Sequence, residues 1–340
     1  MTSTTDTDEA TRGLYADMAA AGLQPLWNVA GDLLPPSPRP QGVPHRWDGA
    51  HVRALVTRAG ELVPLGVVGD RRAVALANPG LDRPWATATL WAAIQQLNPG
   101  ESAPAHRHTA AAIRFVIEGH GVWTTVEGDE CTMSPGDLVL TPAWTWHEHV
   151  SASTEPMLWF DGLDLPLVHA VDAIFHELHP VGRQPVTGRN LSERYRFGGR
   201  RPSGSPGVED QPLLVYRWAD TEAALAHLIE GGERAARIEF RDPATGGPVL
   251  PTLGCAMLRI EGGAGTSPLR RCASSVFYVQ QGAGTTRVDD TELSWREGDA
   301  FAVPTWASVE HAATSTADIF ELTDEPALRA LGLYREASGR

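Results

Sequence analysis

The chain has 340 residues, which exceeds one ordinary domain core and suits two domains of about 150 residues each. Its 28 basic side chains, all of them Arg, are outnumbered by 42 acidic ones, and a net charge of −14 argues against nucleic acid as a partner, because polyphosphate binding needs clustered positive charge. A polar, acidic start and the lack of any run of 18 apolar residues predict a cytoplasmic protein that makes no membrane contact.

Short alternating runs separated by 34 Gly and 26 Pro residues predict a mainly β protein of small antiparallel barrels. The clearest strands are predicted at residues 113–117, 123–126 and 138–140. Amphipathic segments predict peripheral helices at residues 14–23, 167–178, 221–230 and 326–334. Residues 180–211 show no hydrophobic period and are interpreted as a linker or a surface loop. Three widely spaced cysteines predict reduced, structural thiols: Cys131, Cys255 and Cys272.

One pattern occurs twice in the chain. Residues 115–121 match 278–284, and residues 135–144 match 297–306, at offsets of about 160 residues. Each copy reads as strand, Gly-x-Gly turn, strand, Gly-Asp turn and strand, which is typical of a small antiparallel barrel. We therefore predict four regions: a tail and helical arm at 1–40, a first barrel at 41–180, a linker and helix at 181–235, and a second barrel at 236–340.

Five of the twelve histidines fall in one short window: His106, His108, His120, His147 and His149. Residues two apart on a strand share a face, so each His-x-His pair would point into the barrel together. Imidazole is the commonest neutral metal ligand, and three imidazoles can hold a divalent ion while leaving positions open. A His-x-His pair on its own is more often a surface pair or a hydrogen-bonded core pair. His120 lies in a Gly-His-Gly turn and is interpreted as a surface residue.

The spacing from His106 to Gly119, and from Gly136 to His147, resembles the two-part signature of the cupin superfamily. The common cupin pattern has a Glu four residues after its second His, where this chain has Ala112. The resemblance therefore implies a site of three histidines: His106, His108 and His147.

Longer stretches resemble the gentisate 1,2-dioxygenase family, with its salicylate and 1-hydroxy-2-naphthoate relatives. They are residues 90–101, 103–109, 113–119, 141–149 and 159–164, joined in the second half by 243–251, 277–284 and 298–306. The resemblance implies a bicupin of two jelly-roll barrels, an Fe(II) cofactor, a small aromatic 2-hydroxy acid and O2 as substrates, and a homotetramer.

The second copy lacks the ligands of the first. Leu269, Arg271 and Val309 stand where His106, His108 and His147 would be, and His311 alone matches a histidine, His149. A hydrocarbon cannot coordinate, and Arg would repel a cation. We expect metal in the first barrel only.

Three polar residues are candidates for handling the substrate. Arg114 would share the histidine face if the strand from His106 runs without a break, and the matching Arg of the family receives a carboxylate; otherwise it lies on an outer face. His149 is one ligand too many for an open site and is assigned to acid/base work or hydrogen bonding. The resemblance places Asp161 beside His149, although an Asp at a strand end also caps turns.

The resemblance also implies how the pocket is lined. Trp91 and Ala93 would lie against the substrate ring, although Trp91 also suits core packing. Many family members have Gly where Ala93 stands, so the extra methyl would narrow the cavity. One residue of the pair Arg71 and Arg72 would reach the site, and the sequence leaves open which one.

The reaction that this resemblance implies inserts both atoms of O2 between C1 and C2 of gentisate, giving maleylpyruvate. Salicylate, substituted salicylates and 1-hydroxy-2-naphthoate are alternative substrates. Two alternatives of other classes are a bicupin that binds an aromatic acid without catalysis and a zinc-dependent hydrolase or isomerase.

Overall fold

The computed structural model describes residues 4–65, 71–195 and 213–338. Residues up to Arg39 form a unit of their own, and residues from Pro40 onward form a second unit. The helices are α1 (Thr4–Ala20), α2 (Leu26–Leu33), α3 (Gly49–Leu62), α4 (Leu165–Ala170), α5 (Trp218–Glu230) and α6 (Glu325–Ala330), with a 3₁₀ helix at Leu191–Tyr195. Within the described residues, no helix is both long and apolar enough to span a bilayer.

Strands are the main secondary structure of the second unit. Those of the first half are β1 (His45–Trp47), β2 (Ala73–Ala75), β3 (Trp91–Leu97), β4 (Ser102–His108), β5 (Ala112–Glu118), β6 (Val122–Val126), β7 (Asp129–Thr132), β8 (Leu138–Thr141), β9 (His147–Ser151), β10 (Met157–Leu163), β11 (His176–Leu178), β12 (Gly188–Arg189) and β13 (Val215–Tyr216). Those of the second half are β14 (Ala235–Glu239), β15 (Gly254–Ile260), β16 (Leu269–Arg271), β17 (Ser275–Gln281), β18 (Ala283–Val288), β19 (Thr291–Arg296), β20 (Ala300–Val303), β21 (Ser308–Ala313), β22 (Ala317–Thr323) and β23 (Glu336–Ser338).

Four sheets build two cupins. The first cupin has sheet I, in the order β13-β8-β5-β10-β3-β2, and sheet II, in the order β11-β4-β9-β6-β7-β12. The second has sheet III, β1-β20-β17-β22-β15-β14, and sheet IV, β19-β18-β21-β16-β23. The mainly β bicupin prediction is confirmed, but each cupin is a jelly roll of two open sheets and not a closed barrel.

The segments predicted as helices differ from the structure in several places, and the helix predicted at 326–334 ends at Ala330. The prediction of one helix over residues 167–178 is wrong beyond Ala170, because His176–Leu178 adds to the edge of sheet II as β11 and pairs with β4. The helices α2 and α3 lie in segments for which the sequence predicted none. Half of the predicted linker, residues 196–211, lies outside the described residues, and the four predicted regions remain a prediction. The three cysteines are free thiols.

The two cupins share one apolar core between sheets I and III. Because side chains alternate along β5, Arg114 faces into the first cupin while Phe115 faces away from it. Phe115 stacks on Phe320 of β22, with ring centroids 4.4 Å apart. This contact joins the outer faces of sheets I and III, and it leaves each cupin's interior between its own two sheets.

Short segments cross between the cupins. The strand β1 precedes the first cupin but pairs with β20 of the second, while β13 precedes the second cupin and pairs with β8 of the first. The Gly-Asp corners hold these crossings: Asp299 accepts the Gly49 N–H at 2.7 Å, and Asp137 accepts the Trp218 N–H at 2.9 Å. A Cβ on Gly49 would lie 2.1 Å from the carbonyl oxygen of Gly298, so this approach requires glycine.

Candidate metal centre and substrate pocket

Three histidines on neighbouring strands of sheet II converge. His106 and His108 lie on β4, and His147 lies on β9 directly opposite His106 in the strand register. One ring nitrogen from each of the three lies within 4.8 Å of the others. The sequence predicted these three as metal ligands, and the structure brings them together as a group that could hold one ion.

Backbone carbonyls orient two of the imidazoles. The Nδ1 atom of His108 lies 2.7 Å from the Ala110 carbonyl oxygen, and that of His147 lies 3.0 Å from the Thr145 carbonyl oxygen. A carbonyl can only accept, so each Nδ1 carries the proton and each Nε2 keeps its lone pair. The Nε2 of His147 is buried and meets no hydrogen-bond partner among the described residues. Such an orphaned acceptor fits a metal ligand.

Burial keeps the cluster neutral. Burial, together with the positive charges of Arg71 and Arg114, lowers the pKa of His106 to about 2 and that of His108 to about 4. Burial also holds the pKa of His147 well below its usual value. Neutral imidazoles can bind a cation near pH 7 without first releasing protons.

Arg114 faces the cluster from sheet I. Ala93 of β3, Asp161 of β10 and Arg114 of β5 stand side by side in the sheet register, so their side chains share one face. Arg114 is buried, its Nη1 donates to the Thr141 hydroxyl at 2.5 Å, and its Nε lies 3.4 Å from Asp161 Oδ1.

The assumption that placed Arg114 on the histidine face was an uninterrupted strand from His106. The structure contradicts it, because the chain turns between β4 and β5 and these strands belong to different sheets. Arg114 nevertheless lowers the pKa values of His106, His108 and His147 through its charge. It therefore shares their cavity because sheet I faces sheet II.

Asp161 is a buried carboxyl with a displaced pKa. Burial raises its pKa to about 6, against the opposing influence of the nearby Arg114 guanidinium. The expected hydrogen bond of Asp161 to His149 is not present in the structure: His149 Nδ1 contacts Thr124, and neither His149 Nε2 nor Asp161 Oδ1 has a hydrogen-bond partner among the described residues. Asp161 pairs with Arg114 instead.

His149 is held by a residue that the sequence analysis did not select. Its Nδ1 lies 2.9 Å from the hydroxyl of Thr124, on the neighbouring strand β6. The ring is fully buried, with its centroid 5.4 Å from that of Trp159, and its Nε2 meets no hydrogen-bond partner among the described residues. Selecting Thr124 requires knowing that β6 pairs with β9 and in which register, and the sequence alone does not give this.

The structure separates the two candidate arginines. The guanidinium of Arg71 lies on the His106 ring, with Nη2 3.3 Å from Nε2 of that ring. Arg72 is buried elsewhere: it forms an ion pair with Glu101 and donates to the Val63 carbonyl oxygen at 3.0 Å. Arg71 therefore joins the histidine cluster, whereas Arg72 does not.

The strand β3 contributes the wall of the cavity. Trp91, Ala93 and Gln95 alternate along it and share the face that carries Arg114. Trp91 is half-buried, and the other two are buried. The sequence analysis missed Gln95, although its parity with Ala93 was a usable signal. Its Nε2 is buried without a hydrogen-bond partner among the described residues, which leaves a donor for a bound molecule.

Comparison with known proteins gives the site a context. A family model described as a Cupin domain matches residues 93–163. The chain is 44% identical over 339 residues to a gentisate 1,2-dioxygenase of Streptomyces sp, an alignment that covers 96% of this chain and 95% of the relative. It is 37% identical to a 5-aminosalicylate 1,2-dioxygenase of Comamonas sp, covering 95% and 89% of the two chains.

Solved structures agree with the sequence relatives. The salicylate 1,2-dioxygenase of Pseudoaminobacter salicylatoxidans, in a structure of adducts with gentisate, is similar to this chain with a TM-score of 0.90 at 38% identity. The match covers 97% of this chain and 94% of that one.

Proposed function

Because the chain belongs to the gentisate 1,2-dioxygenase family of ring-cleaving dioxygenases, we propose that it opens the ring of gentisate, 2,5-dihydroxybenzoate. Both atoms of O2 enter the product: the bond between C1, which bears the carboxylate, and C2, which bears the hydroxyl, breaks to give maleylpyruvate. No other oxidant is needed, since the four electrons that O2 accepts come from the ring.

Fe(II) is the cofactor in this proposal, with His106, His108 and His147 as its ligands. The support is the donor set: three neutral imidazoles, with the lone pairs of His108 and His147 at Nε2 and a buried, unsatisfied Nε2 on His147. A bound ferrous ion supplies a double positive charge and open positions for the phenolic oxygen, the carboxylate and O2. The neutral ligands leave that charge undiminished.

Arg114 receives and orients the substrate carboxylate. Its guanidinium is buried and presents a planar fork of donors, which matches a carboxylate. Asp161 contacts Arg114 and not the histidines, so its part is to hold the guanidinium in position. The ring of the substrate lies along β3, against Trp91 and Ala93, with the Gln95 amide as a further donor.

His149 handles a proton at Nε2. Thr124 holds the other ring nitrogen, and burial keeps the pKa of His149 well below its usual value, so the ring is neutral before the reaction. A neutral imidazole with a free Nε2 can exchange a proton or a hydrogen bond with a substrate oxygen.

One observation carries the proposal: a buried guanidinium on sheet I shares the interior of the first cupin with three neutral imidazoles on sheet II, two of them buried and His108 half-buried. A structural metal site would be closed by a fourth protein ligand, whereas this group contains three. A site that only binds an aromatic acid needs the arginine but not the open metal positions.

The choice of gentisate over salicylates is tested by oxygen consumption. The purified chain, loaded with Fe(II), is assayed with gentisate, salicylate, 5-aminosalicylate and 1-hydroxy-2-naphthoate at equal concentrations. We expect the highest kcat/KM with gentisate, because its second hydroxyl donates electrons to the ring. A higher value with another of these acids would reassign the substrate, and no oxygen consumption with any of them would leave the non-catalytic binding protein as the better reading.

Metal identity is tested on the same preparation. After chelation, we expect Fe(II) to restore oxygen consumption and Zn(II) to block it. Restoration by Zn(II) would instead favour hydrolase or isomerase chemistry. We further propose that the active form is a homotetramer, which sedimentation equilibrium measures directly.

A further inference from the structure

The second cupin keeps a cavity at the position where the first cupin has its histidines. In sheet IV, β16 pairs with β21 so that Leu269 stands opposite Val309, in the same way that His106 stands opposite His147 in sheet II. A cavity of about 190 Å³ lies against these residues. The second cupin therefore lacks the metal ligands of the first but keeps a cavity at their position.

A guanidinium provides positive charge in this cavity. Arg271 stands at the position that matches His108, and it lines the cavity wall. Its Nη2 donates to Glu321 Oε1 at 2.7 Å, and its Nη1 donates to Glu325 Oε2 at 3.3 Å. Among the described residues these are its two side-chain hydrogen bonds. A guanidinium carries five N–H donors, so Arg271 has three more to offer.

The charges around the cavity leave a positive excess. Burial raises the pKa of Glu321, but the guanidiniums of Arg271 and Arg237 outweigh this effect and hold that pKa far below its usual range. Glu321 is therefore ionised. The charged residues that line the cavity are Arg237, Arg271 and Glu321, two positive charges and one negative. The further partners of these arginines, Glu239 and Glu325, are not among the lining residues, so the wall itself carries one positive charge in excess.

His311 adds a neutral donor. Its Nδ1 lies 2.8 Å from the Thr286 hydroxyl, and the Trp295 indole N–H donates to the same hydroxyl at 2.8 Å. An indole can only donate, so the hydroxyl oxygen accepts from Trp295, and the hydroxyl proton has His311 Nδ1 as its one acceptor among the described residues. The imidazole proton is then on Nε2. Burial lowers the pKa of His311 to about 4, so the ring is neutral and Nε2–H is its donor.

The remaining wall of the cavity is apolar. Its hydrocarbon side chains include Leu269, Phe277 and Val309, and Thr266 and Ser267 are the polar exceptions. An apolar cavity of about 150 Å³ is large enough to hold benzene, so about 190 Å³ admits one ring or a branched chain of similar size together with a carboxylate.

We propose that the second cupin binds one small organic monocarboxylate. The carboxylate accepts hydrogen bonds from Arg271 and from His311 Nε2–H, and the hydrocarbon part packs on Phe277 and Val309. The proposal is for binding alone, because Leu269, Arg271 and Val309 stand where the first cupin has its three histidines. The site is separate from the proposed catalytic one, so turnover in the first cupin does not depend on it.

The test uses 4-bromobenzoate, whose bromine marks its position by anomalous scattering. Crystals of the full-length, Fe(II)-loaded protein are soaked with it, and calorimetry with benzoate gives the number of sites in solution. We expect a bromine peak in the second cupin and two calorimetric sites per chain. The absence of a bromine peak from the second cupin would overturn the proposal, whereas a single site located there would count against benzoate binding in the first cupin only.

Three variants sharpen the test. Arg271→Met removes the guanidinium, and Val309→Phe fills the cavity from the apolar side without touching the ion pairs. Each of these two variants should abolish the bromine peak and weaken binding at the second calorimetric site at least about tenfold. For Arg271→Met, tenfold is the minimum expected for a lost hydrogen bond to a charged group. Arg270→Met is the matched control, because Arg270 pairs with Asp289 away from the cavity.

The outcomes are decisive. An unchanged second site in folded Arg271→Met or Val309→Phe protein would refute the assignment. Retained oxygen consumption in both variants shows that they fold, and it separates a failure of this site from a failure of the catalytic proposal.

Discussion

Replacing Arg114 by Met tests the central electrostatic feature of the proposed active site. The substitution removes the guanidinium while it retains an unbranched side chain that can fill much of the same space. Truncating one partner of a buried, hydrogen-bonded charge pair costs about 2–5 kcal/mol. Since 1.4 kcal/mol is a factor of ten, kcat/KM for gentisate should fall by about 30-fold to a few thousand-fold. The bound metal should not change, because Arg114 contacts none of the three histidine nitrogens.

The same substitution has a predictable effect on stability. Burial raises the pKa of Asp161 to about 6, above its ordinary value of 3.8, and Arg114 keeps it from rising further. An acid whose pKa is raised by folding destabilises the folded state as pH rises through the interval between the two values. Without Arg114 that interval extends above pH 6. The unfolding free energy of the Arg114→Met protein should therefore fall further below that of the wild type as the pH rises from 5 to 8. The difference should grow by at most about 1.4 kcal/mol per pH unit.

The assays are oxygen consumption against gentisate concentration and chemical unfolding at several pH values. Arg107→Met is the matched control: Arg107 is the neighbour of His106 and His108 on β4, but it lies 4.4 Å from the rings of Trp144 and Trp146 and pairs with Glu177. We expect kcat/KM of this control to stay within about threefold of the wild type. A value as high as the control's in metal-loaded Arg114→Met protein would refute the role of Arg114 as the carboxylate receptor.

Three further predictions concern single residues. His108→Ala removes one of the three proposed ligands. Its metal affinity, measured by equilibrium dialysis, should fall by more than the about 10- to 100-fold typical of losing a residue that only hydrogen-bonds a ligand, and unchanged affinity would contradict the site. Asp299→Ala removes the buried acceptor of the Gly49 N–H and should lower the unfolding free energy by about 2–4 kcal/mol in urea, without loss of metal; an unchanged midpoint would mean that the crossing contributes little. Thr124→Val removes the hydroxyl that contacts His149 Nδ1, so kcat should fall about tenfold while KM stays unchanged. A change in KM alone would mean that Thr124 contributes only to packing.

The duplicated architecture and the histidine triad follow from local patterns. A period of two places His106 and His108 on one face of a strand, and the repeated Gly-Asp corners identify two copies of one fold without any knowledge of their contacts. The loss of the triad in the second copy is equally visible, because aligned positions show Leu269, Arg271 and Val309. These inferences need only the sequence, because they concern residues close together on a strand or aligned between copies.

Contacts between strands and between sheets required the tertiary structure. Thr124 reaches His149 because β6 lies beside β9, and Asp161 meets Arg114 because β10 lies beside β5. Neither neighbour can be read from the period of a single strand. Arg71 and Arg72 are adjacent in the chain and chemically identical, yet one lies on His106 and the other is buried against Glu101.

The crossing of β1 and β13 between the cupins, and the positive cavity around Arg271, depend on pairings over long sequence separations. Local sequence preferences specify which faces are apolar and which carry ligands. The register of distant strands, chosen by the packing of whole sheets, decides which of those faces meet.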